Sequence, residues 1–109
     1  MSLQVAVGYI RMNCAGSTAD MDALQGQMRV RAEQHGYLLS QIFVETEDGT
    51  SSAYATLIDV VRDGHIGLVL VPSINHFGHL ASLSTAMRER VEEEAGAQVI
   101  TLTEWQEHG

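Results

Sequence analysis

Apolar and polar residues along the chain change period several times. Residues 3–10 (LQVAVGYI) are β-branched and apolar enough, and short enough, for a buried strand. A polar stretch, Asn13-Cys14-Ala15-Gly16-Ser17-Thr18, leads into a helix with Ser17 or Thr18 as N-cap. Asp20 and Asp22 favour the positive end of its dipole. Met21, Leu24, Met28 and Ala32 recur at helical spacing, and Gly36 is the expected stop. Residues 37–44 (YLLSQIFV) read as a second strand, followed by a polar loop over 45–52 with a turn at Asp48-Gly49. A helix over 53–62 carries Leu57, Ile58 and Val61 and ends at Asp63-Gly64. Residues 66–71 (IGLVLV) form the most hydrophobic run, the expected central strand, closed by Pro72. A loop over 73–79 precedes a long helix over 80–95, Gly96 ends it, and residues 98–102 (QVITL) give a last strand.

The order β-α-β-α-β-α-β, with right-handed crossovers, predicts a three-layer α/β/α domain around a mainly parallel sheet of four to five strands. One domain is expected over 1–109, with its core over about 4–103 and no separate DNA-binding domain. Chemistry in such sheets gathers beyond the carboxyl ends of the strands. Segments 11–17, 45–52 and 73–79 converge there.

Charge narrows the function. Six Lys+Arg, all of them arginine, face 14 Asp+Glu, for a formal net charge of −8. That balance opposes the phosphate backbone at long range, so DNA binding by this chain alone is expected to be weak or absent. The single cysteine, Cys14, forms no internal disulfide, which suits a cytoplasmic setting. No apolar run approaches the roughly 20 residues of a membrane span.

At the converging segments the chain resembles the N-terminal catalytic domain of the serine recombinases, the resolvase/invertase family. The resemblance rests on Gly8-Tyr9-Ile10-Arg11, Ala32-Glu33-Gln34-His35-Gly36-Tyr37, Glu47-Asp48-Gly49-Thr50-Ser51-Ser52, and Leu68-Val69-Leu70-Val71 followed by Asn75-His76-Phe77-Gly78-His79. It implies a resolvase-like fold and, for intact members, strand transfer through a covalent phosphoserine, with clustered guanidinium groups binding the phosphate. Family members continue into a long helix and a DNA-binding region, for which this sequence has no counterpart.

The resemblance also implies losses. Arg11 matches the first-strand arginine, but Asn13 stands at the nucleophilic serine and its amide cannot attack phosphorus. Tyr54 stands at an arginine, Asn75 at an aspartate, and His76 and His79 at two further arginines. Unperturbed imidazole is mostly neutral at pH 7 and does not replace a guanidinium. The expectation is therefore a pseudoenzyme without cofactor, acting through a protein partner or as a homo-oligomer.

Several residues admit two readings. Ser17 is either a displaced nucleophile or a helix cap, and Cys14 either a reactive thiol or a small residue at a strand end. His76 and His79, with His65, Asp63 or Cys14, could ligate zinc, or could simply fill the arginine positions. Arg11 either binds an anion or pairs with Glu45, Glu47 or Asp48. A small-anion or nucleotide-binding domain is thus a further alternative, beside a fragment of an active recombinase. Glu89 and Glu92-Glu93-Glu94 are expected on a solvated helix face near Arg88 and Arg90. Trp105 is the candidate contact residue beyond the last strand.

Overall fold

The computed structural model describes residues 3–12, 18–46, 52–77, 81–102 and 104. Strand β1, Gln4–Arg11, is buried at every position from Ala6 onward, so it must lie inside the sheet with both faces covered. It pairs in parallel with β2, Tyr37–Glu45, on one side and with β3, Leu68–Val71, on the other. Strand β4, Gln98–Thr101, pairs with β3, giving the order β2-β1-β3-β4. The expected parallel α/β sheet is present with four strands, and β3 shares the interior with β1.

Helix α1, Thr18–Gln34, covers one face. Met21, Met28 and Ala32 pack there against Ala6, Ile10, Leu39, Leu68 and Leu70, with Leu24 partly buried beside them. Contact is closest at Gly8, where an added Cβ would fall 2.8 Å from the Met28 Cε. Helices α2, Ser52–Gly64, and α3, Ala81–Glu94, cover the other face. Leu57, Ile58 and Val61 of α2 and Val91 of α3 meet Val7, Tyr9, Phe43, Val69, Val71 and Val99. The helices change face where the strand order reverses direction, as crossovers of a single hand require. That reversal lies between β1 and β3.

Strand β2 contains a feature its alternation does not announce. Pairing shifts by one residue, so that Ala6 faces Leu39 while Val7 faces Gln41. Ser40 is the extra residue, and its hydroxyl donates to the Ala6 carbonyl at 3.3 Å. The shift reverses the phase of the strand: Leu39 packs under α1, whereas Phe43 packs with Tyr9 under α2.

The end of α2 differs from expectation. His65, not Gly64, takes the left-handed conformation, at φ 53°. His65 N–H donates to the Arg62 carbonyl and Ile66 N–H to the Val61 carbonyl, the paired bonds of a Schellman ending. Ile66 and Gly67 are consumed in this turn, which is why β3 begins at Leu68 rather than at 66. Gly36, at φ 85°, ends α1 as expected.

Leu57 is fully buried between α2 and the sheet, whereas Val30 on α1 is 54% exposed. Leu57→Ala is expected to cost about 2–5 kcal/mol in urea unfolding. Val30→Ala is expected to stay within about 0.5 kcal/mol.

Candidate functional site

The carboxyl ends of β1, β2 and β3 meet around a chain of buried polar groups. Arg11 and Glu45 are register partners at the ends of β1 and β2, 7% and 2% exposed. The Tyr9 hydroxyl lies between them: it accepts from Arg11 Nη2 at 3.3 Å and donates to Glu45 Oε1 at 3.3 Å. Arg11 Nε also donates to the His76 carbonyl at 3.2 Å. Of the two readings of Arg11, the described contacts turn its guanidinium inward, linked to Glu45 through a phenol. Glu47 and Asp48 lie outside the described residues.

Glu45 has a further task that its position in the sequence obscures. Its carboxylate accepts from the amides of Ala53 and Tyr54 and from the Ser52 hydroxyl, at 3.1–3.4 Å. It thus caps α2 from the end of the neighbouring strand, satisfying amides that the helix cannot and placing negative charge at its positive end. Ordinary capping patterns place the acceptor beside the helix in sequence. Glu45 is seven residues before Ser52, so local reading misses it.

His76 sits in a 3-10 turn, Ile74–Phe77, that follows β3. It is 4% exposed, and its Nδ1 accepts the Arg11 backbone N–H at 2.9 Å. Burial, with the nearby Arg11 charge, pushes its pKa down to about 4. The imidazole is therefore neutral at pH 7, protonated on Nε2, and acts as a hydrogen-bond acceptor that joins the β1 and β3 ends. Phe77 stacks on Tyr9, with ring centroids 5.5 Å apart.

Tyr54 is also turned into the fold. Its ring meets Tyr9 and Phe77 edge-on, and its hydroxyl donates to the Met87 carbonyl of α3 at 2.7 Å. Burial pushes its pKa up to about 12, against the opposing pull of Arg90, whose guanidinium lies over the ring at 5.6 Å. Burial likewise raises the Tyr9 pKa, with Arg11 opposing. Both phenols are neutral.

The described zinc candidates do not meet. Asp63 and His65 precede β3 and His76 follows it, so a strand of about 3.3 Å rise per residue separates them. Among the described residues no three His, Cys, Asp or Glu side chains gather around a common point. His79, Cys14, Asn13, Ser17 and Trp105 lie outside the described residues, as does the Asn75 side chain.

The charged face of α3 is solvated as expected, with Glu89, Glu92, Glu93 and Glu94 exposed. Arg90 bonds Glu94 on the surface at 3.0 Å, but Arg88 and Glu92 reach across to the Val99 backbone. These two side chains stay partly exposed and also tie the helix to β4.

The sign of the His76 shift fixes a pH dependence. Its folded pKa lies below the unfolded value of about 6.5, so its contribution is full above that value and is lost as pH falls toward about 4. His76→Asn keeps an acceptor for the Arg11 amide without the titration. Unfolding free energies measured between pH 7 and pH 4 are expected to fall more steeply for wild type than for His76→Asn, by up to about 3 kcal/mol.

The sequence matches no protein-family model and no curated protein. Solved structures do match. The chain is similar to the C-terminal catalytic domain of ISC1926 TnpA, an IS607-like serine recombinase, at 16% identity and TM-score 0.65, over 90% of this chain and 67% of that one. It is similar to the N-terminal catalytic domain of TP901-1 integrase at 18% identity and TM-score 0.68, over 93% of this chain and 78% of that one. The four-stranded parallel sheet with helices on both faces matches the fold of these serine recombinase catalytic domains.

Proposed function

We propose that this chain is a serine-recombinase-type domain that does not cleave DNA and works as a protein-interaction or regulatory module in the cytoplasm. The supporting observation is the inward commitment of Arg11. A guanidinium that stabilises a breaking phosphodiester must point its donors at the phosphate oxygens. Here two of the donors are spent on the Tyr9 hydroxyl and the His76 carbonyl, inside the protein.

The other family-matching positions support the same reading. His76 contributes no positive charge at pH 7, and Tyr54 is a neutral phenol held against α3. Asn13 offers an amide in place of a nucleophilic hydroxyl. With a formal net charge of −8, the chain approaches duplex DNA against a repulsive field. What remains is the scaffold, which can bind a protein partner or another copy of itself without that chemistry.

Wild type and Asn13→Ser are both expected to give no covalent adduct with nicked random-sequence duplexes on denaturing gels. Restoring the hydroxyl leaves the guanidinium groups missing. A phosphoserine adduct that is lost in Ser17→Ala would establish an active recombinase and overturn the reading. A thermal shift with inorganic phosphate that disappears in Arg11→Ala would favour the anion-binding alternative. Native mass spectrometry of the tagged chain is expected to show a defined complex, and a monomer under all conditions would count against an interaction module.

A further inference from the structure

We infer that Arg88 and Glu92 form a side-chain cap on the free edge of β4, standing in for a fifth strand, and that the uncapped edge pairs antiparallel with β4 of a second copy of this chain.

Strand β4 ends the sheet. Gln98 donates its amide to the Gly67 carbonyl at 2.9 Å, so the groups of Gln98 face β3. Residues alternate along a parallel strand, and Val99 therefore directs both its N–H and its C=O outward. Both are taken by side chains of α3. Arg88 Nη2 donates to the Val99 carbonyl at 3.0 Å, and the Val99 N–H donates to Glu92 Oε2 at 3.5 Å. A guanidinium donor and a carboxylate acceptor thus replace the amide and carbonyl that another strand would present.

The two cap residues sit one helical turn apart and lie 4.0 Å from each other, while Arg88 Nη2 also meets Glu104 Oε1 at 3.3 Å. Arg88 is therefore held in place from both sides. A charged cover of this kind protects an open edge against pairing with other chains. The need for it is written in the strand: Val99, Ile100 and Thr101 are all β-branched and uncharged.

The same features identify the occupant once the cap is gone. A groove of about 610 Å³ lies at the carboxyl end of β4, where Thr101 lines it with Ser73, Thr85, Arg88 and Glu104. A second copy brings the same strand. Two-fold symmetry makes the pairing antiparallel, with Val99 of one copy facing Thr101 of the other and each pair exchanging two backbone bonds. This inference rests on the β4 edge alone and does not depend on whether the chain acts on DNA.

The test uses the full chain carrying Arg88→Met and Glu92→Ala, in which Met keeps the apolar stem of the arginine. Circular dichroism verifies that it folds. Sedimentation velocity over a wide concentration range is expected to show a dimer beyond anything wild type forms. In dilute samples Val99 amide exchange should quicken about tenfold or more over wild type, and it should slow again as the dimer forms. Should this variant fail to fold, Glu92→Ala alone gives the same readouts at smaller amplitude, because it frees the Val99 N–H while Arg88 stays in place. A folded variant that sediments like wild type at every concentration would overturn the inference. So would a dimer that leaves the Val99 and Thr101 amides unprotected.

Discussion

A buried carboxylate and a buried guanidinium, joined through one phenol, fix the relation between the strands and the helices at this end of the molecule. Glu45 and Arg11 are adjacent across β1 and β2, yet the Tyr9 hydroxyl mediates between them. Taking either charge out of water alone would cost several kcal/mol. Together, with the α2 amides on Glu45 and the His76 carbonyl on Arg11, their hydrogen bonds are largely met by the fold. The arrangement sets where α2 starts, and it ties the turn after β3 to the end of β1. Removing one member would leave the others buried without their partners, so the group behaves as a unit.

That unit lies at the carboxyl ends of β1, β2 and β3. Beside the buried Arg11 and Glu45 the interior there is aromatic. Tyr9, Tyr54 and Phe77 form a mutually packed cluster, and His76 contributes a lone pair rather than a charge. Such a cluster gains stability from burial and from ring contacts, each worth about 0.5–1.5 kcal/mol beyond area. Arg11, Tyr54 and His76 are thus parts of the buried framework at this end of the sheet.

The framework was largely legible from the chain, and particular residues show why. The continuous apolar run of β3 can be satisfied only inside a sheet, and the spacing of Leu57, Ile58 and Val61 only by a helix with one buried face. Gly36 marked a real helix end because glycine takes positive φ without penalty. His65 did not announce itself, since a side chain at φ 53° is held there by the surrounding turn and not by its own preference. The site was harder to read. Arg11 and His76 are 65 residues apart, and the hydrogen bond between them depends on strand order, which local patterns do not encode. The role of Glu45 as a cap, and the reach of Arg88 and Glu92 to Val99, are hidden for the same reason. Long-range partners decide whether a charged residue is solvated, buried or structural.

The bulge at Ser40 carries a consequence for how this sheet tolerates change. Upstream of it β2 sends odd-numbered side chains toward α1, and downstream it sends them toward α2. Deleting Ser40 alone would restore an even ladder with every partner kept, so that Phe43 stays with Tyr9 under α2 and Ile42 stays under α1. Removing Ser40 and Gln41 together would instead turn Phe43 toward α1 and Ile42 toward the ring cluster. The extra residue thus sets the parity of the strand: at its present length the faces are kept only with the bulge, and one residue shorter they are kept without it.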